Sequence, residues 1–157
     1  MLKTFAGIVI ILLTVGVYGS TDYQPTTFIK DTKLIGSLHQ NNEVEMFLGI
    51  PFAVPPINDL RWEKPIAWTP ENKKEITANK FRAACIQNQR IVNWYKRLIL
   101  DFGSDPRTFD IPEFSEDCLY LNLWRPRELK NNLPVIVYIH GGSNKAGWAY
   151  EPNYHGH

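Results

Sequence analysis

Residues 140–147 read HGGSNKAG and follow the apolar run LPVIVYIH. A glycine-rich turn after a strand can aim several backbone N–H groups in one direction. Glycine tolerates unusual φ and leaves room for a ligand. N–H groups so aimed can stabilise the negative oxygen of a tetrahedral acyl-transfer intermediate, and losing one donor costs roughly 3–4 kcal/mol of barrier. The same residues also suit a plain turn that ends a strand. His140 stands at the start of the turn, and His155-x-His157 closes the sequence. With no third ligand nearby, these histidines do not compose a zinc site, and no metal or other cofactor is expected.

Nucleophilic ester hydrolysis needs more than an oxyanion hole. It needs an activated serine, a histidine base and an orienting carboxylate. The serine belongs in G-x-S-x-G on a sharp strand-to-helix turn. No such pattern occurs in the 157 residues. They carry at most one part of an acyl-transfer apparatus.

Lys3 followed by FAGIVIILLTVGVY, with Val17 and Gly19 before a cut after Gly19, has the layout of a secretory signal peptide over residues 1–19. The alternative is a membrane anchor, though the apolar run is shorter than the roughly 17–25 residues a membrane span needs. Removing the leader takes away Lys3 and leaves 16 basic against 16 acidic residues. With no net charge and no basic block, nucleic acid is not an expected partner. A secreted or extracellular chain with two cysteines, Cys85 and Cys118, suggests a disulfide. Closing that loop is worth roughly 3–4 kcal/mol in the chain-entropy model. The alternative is two free buried thiols.

Residues 32–53 alternate as two short strands joined by a turn at HQNNE, an antiparallel hairpin on a sheet edge. Pro51, Pro55, Pro56 and Pro65 then rule out regular helix. An extended coil is expected there, with Trp62 and Trp68 as anchors. RIVNWYKRLIL (90–100) has apolar residues at helical spacing, CLYLNLW (118–124) reads as a strand, and the stretch between them reads as irregular. VIVYIH (135–140) lacks polar alternation, as a strand covered on both faces does. Such a strand needs helices over it and partners beside it.

FLGIPFAVPP, LRWEKPIAW, SEDCLYLNLWRP and PVIVYIHGGS occur in that order. Together they resemble the N-terminal portion of the type-B carboxylesterase and cholinesterase family. Glu116–Asn122 is the most specific stretch, similar to one of the family's signature patterns. The resemblance runs from about residue 26 to the end. It implies an α/β class, with residues 20–157 as the N-terminal part of an incomplete α/β-hydrolase sheet. The parts are an edge hairpin, an extended Pro-rich segment, a disulfide loop and the first central strands. It places the oxyanion donors on Gly142 and Ser143, with Gly141 allowing the turn, and it pairs Cys85 with Cys118. It makes Arg61 and Glu116 structural ion-pair formers.

The resemblance also implies a small-molecule carboxylic ester as substrate, with serine, acid and histidine lying further along than residue 157. The chain on its own is then expected to be an inactive fragment of a secreted serine esterase. The alternative is the start of a non-catalytic, cholinesterase-like adhesion protein with a protein partner. Three departures from the family pattern stand out. Ser143 and Asn144 replace a frequent glycine and a frequent aromatic residue. Asn58 replaces a frequent glycine, and asparagine tolerates a left-handed turn well. Trp94 lies in the disulfide loop, where cholinesterases stack a tryptophan on the choline cation. Its surroundings here differ, so ordinary packing is expected and choline binding is not.

Overall fold

The computed structural model describes residues 23–70, 74–128 and 132–154. The expected leader and the histidines at 155 and 157 lie outside the described residues. The chain opens with strands β1 (Thr26–Ile29) and β2 (Thr32–Ile35), then β3 (Ser37–Leu38) and β4 (Val44–Pro51). β5 (Glu75–Thr77) and β6 (Ala84–Cys85) follow, then helix α1 (Arg90–Asp101), β7 (Phe114–Ser115) and β8 (Tyr120–Pro126). The strands form a β1-β2-β5 sheet, a β3-β4-β8 sheet and a β6-β7 pair.

The expected hairpin is present between β3 and β4. Its turn closes through the Asn42 N–H on the His39 carbonyl, with Asn42 at φ 59°. Gly36 separates β2 from β3, and a Cβ there would strike the Met46 carbonyl oxygen, so the position requires glycine. The β4–β8 ladder is antiparallel and slips between Phe47 and Ile50. Gly49 sits in that bulge at φ 73°, and its N–H donates to the Asn122 side chain at 2.9 Å. Asn122 thus completes a hydrogen bond that the broken ladder cannot make.

Leu34, Phe47, Ile50 and Ala78 form one core between the two larger sheets. At its margin Glu45, buried on β4, faces Arg125 on β8. Their charged groups meet at 2.6 Å, and Arg125 also donates to the Thr26 carbonyl. The Tyr23 hydroxyl donates to the other Glu45 oxygen. A buried carboxylate with a cation and a hydroxyl on it is the arrangement that makes burying charge tolerable.

The proline-rich segment is coil with one 3₁₀ turn at Asn58–Leu60, and Asn58 takes φ 51° as its type allows. Trp68 is half-buried and its N–H holds the Phe52 carbonyl. Trp62 does not anchor the segment. It sits at φ 66° in a turn and is 96% exposed. Arg61 and Glu116 form the expected ion pair at 2.5 Å, both partly solvated.

Residues 133–140 depart from expectation. They belong to no strand and pair with no strand among the described residues. Val135, Val137 and Ile139 are strongly exposed and Ile136 is 92% exposed. A strand is fixed by ladder partners and by cover on its faces. No ladder partner reaches this run among the described residues, and the Tyr154 ring against Tyr138 covers little of it, so its aliphatic residues stay in the open.

Candidate functional site

The disulfide joins Cys85 to Cys118, as the count and the resemblance imply. Between them α1 turns Val92 and Tyr95 inward, against Ala84 and Trp148. Tyr95 stacks on Phe109. Trp94 is half-exposed and meets the Tyr95 ring edge-on. The second core therefore joins the disulfide loop to the residues just after the glycine turn.

The turn itself folds back on the Gly142 carbonyl. The Lys145 and Ala146 N–H groups both approach that oxygen, at 3.0 and 3.3 Å. Gly142 (φ 117°), Ser143 (φ 57°) and Asn144 (φ 54°) are consecutive residues with positive φ. A Cβ on Gly142 would collide with the Ala146 carbonyl, so this position requires glycine. For Ser143 and Asn144 the left-handed backbone is a conformation that L-residues adopt at a cost. The Gly142 and Ser143 N–H groups donate to no acceptor among the described residues. Successive open amides can bind an anion where they converge on one point.

Three side chains hold the turn. The Gln87 amide engages Gly147, accepting from its N–H at 2.5 Å and donating to its carbonyl at 2.9 Å. Glu151 is buried, and its Oε1 accepts from the Trp148 N–H at 3.2 Å. Its Oε2 accepts from the Tyr95 hydroxyl at 3.1 Å. Burial first, and the Glu151 carboxylate second, hold the Tyr95 hydroxyl well above its ordinary pKa. It therefore stays a donor at neutral pH. Gln87, Tyr95, Gly147 and Glu151 were not singled out from sequence. The only local signal was a glutamate set in the aromatic stretch WAYEP.

Gly141, Gly142 and Ser143 are thus together in one tight turn, beside the loop that Cys85 and Cys118 close. His140 lies at its start, with Nδ1 2.9 Å from the Gly141 carbonyl oxygen. No group of three or more His, Cys, Asp or Glu residues that could hold a metal occurs among the described residues. Two apolar grooves lie elsewhere. One of about 400 Å³ is lined by Leu38, Met46, Leu48, Phe81 and Trp124, among others. One of about 260 Å³ is lined by Val54, Pro56, Leu60, Ile66 and Leu119, among others. Neither includes a residue of the turn.

Among solved structures the arrangement is similar to a thermophilic PNB esterase, with a TM-score of 0.67 and 29% identity over 83% of this chain and 24% of that one. The architecture is the N-terminal part of an α/β-hydrolase sheet. The sequence matches the model of the carboxylesterase family over residues 24–157, and the chain belongs to that family. Fumonisin B1 esterase of Sphingopyxis macrogoltabida is 37% identical over 73% of this chain and 18% of its own length. Mouse carboxylesterase 5A is 38% identical over 76% of this chain and 20% of its own. Mouse acylcarnitine hydrolase is 34% identical over 92% and 26%. The chain spans about a fifth to a quarter of the length of these relatives.

Proposed function

We propose that this chain supplies the oxyanion-hole portion of a secreted carboxylic ester hydrolase. The observation that carries the reading is the state of the turn. The Gly142 and Ser143 N–H groups stay open among the described residues, while the Lys145 and Ala146 N–H groups close on the Gly142 carbonyl. In this role the two N–H groups hold the carbonyl oxygen of an ester as it becomes an alkoxide, and Gly141 lets the backbone approach closely. Donors fixed in advance stabilise that charge without reorganising at the moment of reaction.

The serine that attacks, the histidine that takes its proton and the carboxylate that orients the histidine come, in this reading, from polypeptide outside these residues. The 157 residues hold no G-x-S-x-G. They therefore hydrolyse no ester by themselves. The leader at 1–19 and the Cys85–Cys118 bridge fit export to an oxidising compartment. The substrate class is a small carboxylic ester.

The test is to sequence the complete transcript across the codon for His157, then to assay its product and the 157-residue chain on 4-nitrophenyl acetate. Turnover by the complete product, with the short chain equal to a boiled control, is the expected result. Turnover by the short chain would overturn the division of labour. A complete product with a continuing sheet but no serine in G-x-S-x-G would favour a non-catalytic binding protein instead.

A further inference from the structure

We propose that Gln87 is the positioning residue of the glycine turn, clamping Gly147 to the disulfide loop and thereby fixing the direction of the Gly142 and Ser143 N–H groups. The clamp stands on geometry alone. Its effect on catalysis rests on the oxyanion reading above.

One planar amide engages both backbone groups of one residue. Gln87 Oε1 accepts from the Gly147 N–H at 2.5 Å, and its Nε2 donates to the Gly147 carbonyl at 2.9 Å. The same Nε2 reaches the Cys85 carbonyl at 3.1 Å, so the clamp is itself held at the disulfide. A single hydrogen bond leaves a peptide free to rock. Two on opposite groups of one residue set its orientation. No other side chain bonds both backbone groups of a residue in 141–151 among the described residues. Glu151 holds one N–H, that of Trp148.

Gly147 passes this constraint to the donors. It is buried at φ 111°, and a Cβ on it would stand 2.7 Å from the Gly141 carbonyl oxygen and 2.8 Å from His140 Nδ1. Its backbone therefore lies directly against the residues that begin the turn. The other end is closed by the Lys145 and Ala146 N–H groups on the Gly142 carbonyl. With Gly147 fixed, the short run from Gly141 to Ala146 has little freedom to redirect its amides. Gln87 touches neither Gly142 nor Ser143, and acts only through Gly147.

The side-chain chemistry yields two discriminating variants. Gln87→Met keeps length and volume but makes none of the three bonds. Gln87→Glu can still accept from the Gly147 N–H, yet places carboxylate oxygens against two carbonyls. Both are made in the product of the complete transcript and read by hydrogen exchange with mass spectrometry and by steady-state hydrolysis of 4-nitrophenyl acetate. In both variants, amides in 140–150 should exchange at least about tenfold faster, while peptides from β4 and β8 keep wild-type rates. The kcat should fall roughly 10- to 100-fold with KM little changed, as for misplaced transition-state donors.

Unchanged exchange in the turn would overturn the clamp. So would faster exchange that spreads evenly through β4 and β8, since that marks a merely structural residue. A loosened turn with unchanged kcat would overturn the positioning role. If Gln87→Met fails to fold, Gln87→Glu decides. If the wild-type product hydrolyses nothing, the esterase reading fails, and the exchange data still judge the clamp.

Discussion

Residues 133–140 and 141–151 adjoin in sequence, yet their surroundings are opposite. The first stretch is the more apolar and lies in solvent, whereas Ala146, Gly147, Trp148 and Glu151 of the second are buried. The difference lies in who satisfies the backbone. Side chains of the disulfide loop reach across and hold the turn at Gly147, while Tyr95 steadies the Glu151 carboxylate that holds Trp148. A central strand has no such recourse, because it needs whole neighbouring strands and covering helices. Hydrophobicity alone therefore does not bury a segment. Burial requires partners with the right spacing, and an unpaired apolar run is a template for wrong pairing.

The contrast predicts opposite responses to similar truncations. Phe47 is fully buried in the main core, so Phe47→Ala should cost about 3–5 kcal/mol. Ile136→Ala, in the exposed run, should cost no more than about 0.5 kcal/mol. Urea unfolding followed by tryptophan fluorescence measures both. Equal losses would mean that residues 133–140 are covered in solution, and the comparison would collapse.

The next effect belongs to the turn's support. Replacing Cys85 and Cys118 together by alanine should cost about 3 kcal/mol by the loop-entropy argument. The loss should show as a lower urea midpoint, with the turn at 140–150 and α1 exchanging first. If instead the β4–β8 ladder loosens first, the bridge supports the main sheets rather than the site.

These two stretches also mark where the sequence was legible. Whatever depends on neighbouring residues could be read. The spacing of 91, 92, 95, 98 and 99 yields α1, the alternation and HQNNE yield the β3–β4 hairpin, and Asn58 takes the left-handed backbone that its type permits. The resemblance added the Cys85–Cys118 bridge and the Arg61–Glu116 pair, both of which the fold contains. What depends on distant partners was not legible. The apolar pattern of 135–140 describes a strand's composition but carries no information on whether neighbours exist beside it. Trp62 looked like an anchor because large aromatics usually bury, yet a positive-φ turn leaves it in solvent. Gln87 and Gly147 are 60 residues apart, and nothing local in either pairs them.

A finer prediction concerns strain inside the turn. Ser143 and Asn144 both hold left-handed φ, at 57° and 54°. Asparagine adopts that region more readily than serine. Ser143→Gly should therefore stabilise by about 0.5–1 kcal/mol, the relief of strain exceeding the greater freedom of glycine in the unfolded chain. Asn144→Gly should gain less. Thermal melts of the two variants give the order, and a larger gain at 144 would refute the strain argument.

The smallest effect on stability returns to the exposed run. Val135 and Ile139 are both 85% exposed, and neither belongs to the two buried cores. Changing both to lysine in the 157-residue chain should alter its unfolding free energy by less than about 0.5 kcal/mol. The same change should raise its solubility, since charge on an unpaired apolar run blocks edge-to-edge association. Sedimentation of wild type and variant at matched concentration separates the two quantities. In the product of the complete transcript the same pair should be severely destabilising, if polypeptide outside these residues covers the run as a central strand. The sign of the comparison between short and complete chains is then the sharpest statement of what residues 133–140 are for.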